Sequence, residues 1–297
     1  MYQILKPNKY ITVIKIPIKN IEKIEVIMAN QPKETVSNCF NRLKDKPNFI
    51  INGGLFNMSD GSTITTTVDE GQLIRDGLGN FFGLKIFKDL SFIWEAYKKG
   101  ENIKDFIGCS PSLVINGKVD IRNPLDSGFM NGRHPRLAIG SNKDFFFVVS
   151  VDGRRLWAKG MTILELAKYM LSLNITNALN LDGGGSLRLG QNINGILKIL
   201  NSPTENRAVD NFVGFYLKES ISPTLSTYPI LKKGSKGEYV RQMQKLLNQR
   251  GFNAGIEDGI AGSMTITALK DYQKKNGLYV DGICGVNSWT KLNEKVI

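Results

Sequence analysis

One histidine in 297 residues and three cysteines leave this chain short of metal ligands and of the commonest acid–base side chain. A usual zinc site needs several closely spaced nitrogen or sulfur ligands, and His134 with Cys39, Cys109 and Cys284 cannot build one. The cysteines are odd in number and far apart, which excludes a disulfide framework and predicts reduced, partly buried thiols. A serine triad is excluded as well: Ser186 stands in no GxSxG elbow, and the single histidine belongs to another motif. No apolar run approaches the roughly 18 residues that a membrane-spanning helix requires. The opening MYQILKPNKYITVIKIPIKNIEKIEV alternates like strands, carries lysines throughout, and lacks the continuous apolar core and cleavage site of a signal peptide.

What is present concentrates in NALNLDGGGSLRL, where Asp182 heads Gly183, Gly184, Gly185 and Ser186. Apolar alternation up to Leu181 and again from Ser186 sets these glycines between two strands. A nucleotide-binding phosphate loop must open onto a helix, so that reading is set aside. Consecutive glycines permit positive φ and a close approach of ligand to backbone, and their N–H groups can form an anion-binding hollow. A carboxylate at the rim of such a turn is placed to act on a sugar or a phosphate. A tight turn with a solvated aspartate is the alternative for this stretch taken alone.

Length and a 41% hydrophobic content fit one large domain and one small one. Residues 1–219 read as α+β: a mixed or antiparallel sheet with few helices, one of them at Thr162–Leu173 with a Thr162/Glu165 capping box. Strands are predicted at Phe145–Val151, Ala178–Leu181 and Phe212–Leu217. Residues 220–229 are rich in Ser, Thr and Pro and read as a linker. Residues 230–297 carry three helical patterns: Glu238–Arg250 with Val240, Met243, Leu246 and Leu247 on one face, Met264–Asn276 with Ile266, Leu269 and Tyr272, and a short one with Val286, Trp289 and Leu292. Two similar turns, DGIAGSMT from Asp258 and DGICGVNSW from Asp281, precede the later helices. Each offers too few oxygens for a calcium loop, and Asp-Gly predicts a tight turn into the next helix.

NGGLFN at Asn52, HPRLAIG at His134, VVSVDGR at Val148, the DGGGS segment and NSPTENRAV at Asn201 follow in an order and spacing that resembles the phosphodiester glycosidase family, over about residues 45 to 217. Two departures stand out: Leu55 where the family usually has Phe, and Asn206 where it often has Glu before Arg207, with Glu205 adjacent. The segment from Leu231 to Leu292 resembles the three-helix peptidoglycan-binding domain and implies a wall anchor without chemistry of its own. A helical bundle that stabilises or dimerises the larger domain is the alternative. With 39 basic against 27 acidic residues the chain carries a net charge of +12. That charge fits a wall rich in teichoic acid, a polyanion. The basic residues are dispersed and no nucleic-acid motif is present, so nucleic acid is not the expected partner. Plain lysine-rich composition remains the other reading of the charge.

The resemblance implies cleavage at an anomeric carbon bonded to phosphate, through an oxocarbenium-like state. A carboxylate can stabilise that cation, attack it, or activate water. Phosphate leaves readily, so groups that hold its oxygens matter more than a strong acid. Asp182 is the first candidate carboxylate and Asp152, in the VDGR turn, the second. Arg136 and Arg207 are candidate phosphate clamps, since a guanidinium grips phosphate in two-pronged fashion. Asn52, with the backbone of Gly53 and Gly54, offers neutral donors for sugar hydroxyls, and Gly183 to Ser186 line the same site. His134 is an acid–base candidate. Asp152 in a plain turn, the arginines in ion pairs and Asn52 in turn chemistry are the structural alternatives. No cofactor is expected, and an oxygen-only cation such as calcium stays open. The expected protein is a bacterial wall hydrolase cleaving a glycosidic or glycosyl-phosphate bond, of endolysin or autolysin type. It would be released by host lysis or non-classical export. A glycan-strand glycosidase and a non-catalytic wall-binding protein are the alternatives.

Overall fold

The computed structural model describes residues 2–30, 32–122, 125–218 and 229–293, the side chains of 286, 287 and 290 excepted. The chain divides into two compact units, Met1–Ile221 and Ser222–Ile297. The linker expected at 220–229 falls, up to Tyr228, outside the described residues.

Three sheets build the first unit, and every pair of neighbouring strands described in them is antiparallel. The seven-stranded sheet runs Gln3–Asn8, Ile11–Pro17, Phe145–Val151, Arg136–Ser141, Asn177–Leu181, Ser112–Ile115, Lys118–Val119. One five-stranded sheet runs Ile196–Ile199, Leu189–Ile193, Phe49–Asn52, Asn211–Leu217, Ile21–Met28, and the other is made of shorter strands between Thr67 and Glu95 together with Asp105–Gly108. The central strands FFFVVSV and RLAIGS are apolar on both faces because both faces are covered. Ile14, Ile16, Leu137 and Val148 point into a core shared with Phe49, Val213 and Phe215 of the second sheet and Leu84 and Ile107 of the third. Their neighbours Val13, Ala138 and Val149 point the other way, under Ile163, Leu166, Ala167 and Met170 of the helix Ile163–Ser172. That helix starts where the capping box placed it: Thr162 Oγ1 accepts from the Glu165 N–H at 3.1 Å, and Glu165 Oε2 from the Thr162 N–H at 3.0 Å. At roughly 1.5–3 kcal/mol for each large side chain withdrawn from water, the shared core fixes the register of all three sheets. The thiols are deeper than the sequence predicted, with Cys39, Cys109 and Cys284 all free and fully buried.

The second unit contains helices Glu238–Gln249, Ser263–Lys275 and Val286–Asn293. Val240, Met243, Leu247, Leu269, Tyr272, Trp289 and Leu292 form its core, with Leu246 and Ile266 packed against it. The predicted apolar faces are the observed ones; the side chain of Val286 lies outside the described residues. The α+β class therefore holds, with a helical second unit.

Candidate active site

The ends of strands from two sheets meet at the glycine tract. Asn177–Leu181 belongs to the seven-stranded sheet and Leu189–Ile193 to a five-stranded one, so Asp182 to Arg188 is the crossing between them. Ser186 does not start a strand, because Gly184–Ser186 closes a 3-10 turn that positive φ (57°) at Gly184 makes accessible. Asn52, the last residue of Phe49–Asn52, clamps the crossing at both ends. Its amide donates to the Asp182 carbonyl at 2.7 Å and its carbonyl accepts from the Arg188 N–H at 2.9 Å. The Asp182 N–H donates in turn to Gly53 O at 3.0 Å. The amide expected to serve sugar hydroxyls is thus committed to backbone. Gly53 and Gly54 are bare because Asn211 and Thr65 press against them, a methyl group at either position running into those side chains.

Two of the tract's N–H groups are committed within the protein. The Gly184 N–H donates to Pro135 O and the Ser186 N–H to Gly183 O, both at 3.0 Å. The missing side chains make room for cations instead. A Cβ on Gly184 would stand 3.2 Å from Arg154 Nη2, and one on Gly185 would stand 2.5 Å from Arg207 Nη2 and from Glu205 Oε1. Arg154 is exposed and itself left-handed (φ 57°), a conformation that costs a non-glycine residue roughly 1–2 kcal/mol and turns its side chain toward the tract. Arg207 donates through Nε (3.1 Å) and Nη2 (2.7 Å) to one oxygen of Glu205.

Asp182 is mostly buried at the rim of this turn. Burial pushes its carboxyl up to about 6, against the Ser186 hydroxyl, the Arg207 charge, the Gly183 backbone and the Arg154 charge, all of which favour the ionised form. Asp210, the residue directly after the NSPTENRAV motif, is buried too; burial and the nearby Asp182 charge hold it at about 7, although Asn211 and Thr63 stabilise its anion. It also lines a cleft of about 290 Å³ with Ser62, Thr63 and Arg75.

Two sequence candidates stand behind this cluster. Asp152 Oδ1 accepts from the Ser202 N–H at 2.9 Å and from Asn201 Nδ2 at 3.5 Å, which ties the VDGR turn to the segment leading to Arg207. Arg136 is fully buried and differs from the clamp expected of it: Nε donates to Met161 O (2.9 Å) and Nη2 to Phe129 O (2.6 Å) and Gly132 O (2.9 Å), with the guanidinium 4.5 Å from the Phe129 ring. Arg136→Lys is expected to lower the melting temperature, since a single ammonium nitrogen cannot occupy the separate places of Nε and Nη2, and each buried polar group left unpaired costs about 1–3 kcal/mol. Turnover should fall equally on phosphorylated and phosphate-free glycosides; an unchanged melt with selective loss on the phosphodiester would restore the clamp. His134 is half-buried, bridged by its backbone to Met161, and burial with the Arg136 charge lowers its pKa. No group of three or more His, Cys, Asp or Glu suited to a metal ion occurs among the described residues.

Arg154, Glu205 and Asp210 escaped the sequence reading as site residues. Their signals were present: Arg154 follows the VDGR aspartate as a turn residue, and Glu205 is one place before the Asn206 that stands in for a family Glu.

The first unit thus gathers a carboxylate and guanidinium groups on a glycine turn in an antiparallel three-sheet fold, and the second unit is helical. The chain belongs to the phosphodiester glycosidase family, whose model matches residues 45–216, and a peptidoglycan-binding domain model matches residues 236–292. It is similar to mouse N-acetylglucosamine-1-phosphodiester alpha-N-acetylglucosaminidase, 26% identical over 46% of this chain and 30% of that one. The second unit is similar to the spore cortex-lytic enzyme of Bacillus cereus, 39% identical over 20% of this chain and 23% of that one. The chain thus spans under a third of either relative. The catalytic domain of the zebrafish N-acetylglucosamine-1-phosphodiester alpha-N-acetylglucosaminidase, solved with its inhibitory pro-peptide, shares the fold at a TM-score of 0.55 and 19% identity, over 73% of this chain and 82% of that one. No described helix is long and apolar enough to cross a membrane.

Proposed function

We propose that this protein hydrolyses a glycosyl phosphodiester in the bacterial cell wall, the N-acetylglucosamine-1-phosphate link between wall teichoic acid and muramic acid being the substrate that suits it best. The observation that carries the reading is the Asp182 carboxylate on a bare glycine tract flanked by the Arg154 and Arg207 guanidinium groups. In this mechanism the C1–O bond to phosphate breaks, Asp182 stabilises the developing oxocarbenium charge, and water adds at C1, its hydroxyl staying on the sugar and its proton ending on the departing phosphate, which leaves as a monoester. The arginines hold the departing phosphate oxygens, where preorganised charge is most effective. Asn52, Asp152 and Arg136 hold the strand ends that carry these groups. The helical unit retains the enzyme on peptidoglycan and raises the local substrate concentration.

Mass spectrometry of products from purified walls tests the reading. Intact walls should release teichoic polymer ending in a reducing N-acetylglucosamine and leave a phosphate monoester on muramic acid, while walls stripped of teichoic acid should yield nothing. Sugar fragments from both preparations would assign the enzyme to the glycan strand. No product from either, with wall binding intact, would make it a non-catalytic wall-binding protein.

A further inference from the structure

The helical unit contains one device built twice. In the first copy Gln244 Nε2 donates to Asp258 Oδ1 (2.9 Å), Ile260 O (3.1 Å) and Thr265 Oγ1 (3.1 Å), and Gln244 Oε1 accepts from the Gly259 N–H at 2.9 Å. In the second copy Gln273 Nε2 donates to Asp281 Oδ1 (2.9 Å), Ile283 O (3.1 Å) and Ser288 Oγ (3.1 Å), and Gln273 Oε1 accepts from the Gly282 N–H at 3.0 Å. Gly259 and Gly282 are both left-handed, at φ 78° and 72°. Asp258 Oδ1 caps the Ile260 N–H and Asp281 Oδ1 the Ile283 N–H, each at 2.8 Å. Both aspartates are therefore absorbed by their own turns. Each glutamine is almost wholly buried and satisfied on both ends of its amide, which fixes the turn rigidly.

At equivalent places these rigid turns push apolar side chains into solvent. Ile256 and Tyr279 are 85% and 81% exposed; Ile260 and Ile283 are 47% and 39% exposed. Nothing in the unit's own core requires them to be apolar. A unit that presents the same two contacts on each of two equivalent turns fits a ligand that itself repeats, and branched or aromatic side chains fit the apolar faces of sugar rings. Eleven lysines and arginines against six acids between Ser222 and Ile297 suit an anionic polymer. We infer that the two turns are equivalent subsites for successive units of one peptidoglycan glycan strand, Ile256 with Ile260 forming one and Tyr279 with Ile283 the other. This rests on the reading of the unit as a wall anchor.

The test uses the full chain, with Ile256→Ser, Tyr279→Ser and both together, pelleted with peptidoglycan stripped of teichoic acid. These exposed positions should leave the melting temperature within a few degrees. Each single variant is expected to weaken binding about tenfold, and the pair by on the order of a hundredfold or more, because the second contact is made at high effective concentration. Hydrolysis of a small soluble phosphodiester should not change. A double variant that pellets like the wild type overturns the inference. So does a wild type that is dimeric by light scattering and becomes monomeric in the double variant, since the turns would then join two copies. If the wild type itself fails to pellet, the wall-anchor reading fails first.

Discussion

Asp182→Asn is expected to lower turnover by about a thousandfold or more while making the sheet unit more stable at neutral pH. The two effects have one cause. Burial raises the folded-state pKa of Asp182 to about 6, above the roughly 3.9 of an unfolded chain, so ionisation opposes folding. The penalty is absent below pH 4, grows between 4 and 6, and is complete above 6. Asparagine keeps the shape of the side chain and never ionises. Allowing for partial exposure, the relief is about 1–2 kcal/mol, roughly 3–6 °C in melting temperature. Melting curves of wild type and variant should therefore coincide near pH 4 and separate at pH 8, with the variant higher. In the wild type, kcat/KM should climb as the pH rises through 6, because the working form is the anion. Turnover within tenfold of wild type would remove Asp182 from the mechanism.

The fold and the candidate site were legible in the sequence to different degrees. The strands were legible because their faces obey period two and the apolar runs at Phe145–Val151 and Arg136–Ser141 are covered on both sides. The helix at Ile163–Ser172 was legible from its capping box alone. The glycine tract was legible as a candidate site because three unsubstituted residues behind an aspartate have no packing use in a strand. What it makes room for was not legible. An alternation pattern cannot say that the crossing joins two different sheets, nor that Arg154 and Arg207, dozens of residues apart from each other, converge on it. Arg136 illustrates the opposite failure. A guanidinium before an apolar strand looks like a phosphate clamp, yet the carbonyls at 129, 132 and 161 that engage it come from segments brought together only by the fold. Asn52 and Asp152 similarly bond to backbone groups, which no side-chain motif records.

Arg154 and Arg207 give the second large effect, and two kinds of substitution separate what they contribute. Lysine keeps the charge but loses the planar fork, so Arg207→Lys or Arg154→Lys should each lower kcat/KM on a sugar-1-phosphodiester by on the order of a hundredfold. A phosphate-free glycoside offers the fork nothing to grip, and its slower hydrolysis should barely change. Removing the charge adds a further readout. Arg207 stabilises the Asp182 anion, second only to the Ser186 hydroxyl, so Arg207→Met should shift the pH midpoint of kcat/KM upward from about 6. Arg207→Lys should leave that midpoint near its wild-type place. Gly185→Ala supplies an independent check. Its methyl group would stand 2.5 Å from Arg207 Nη2 and Glu205 Oε1, so it displaces the pair without altering any charge. It should lose selectivity for the phosphodiester as Arg207→Lys does. If both arginine-to-lysine variants lose activity equally on the two substrates and Arg207→Met leaves the midpoint in place, neither guanidinium holds phosphate. The glycine tract would then have to be explained by close packing alone.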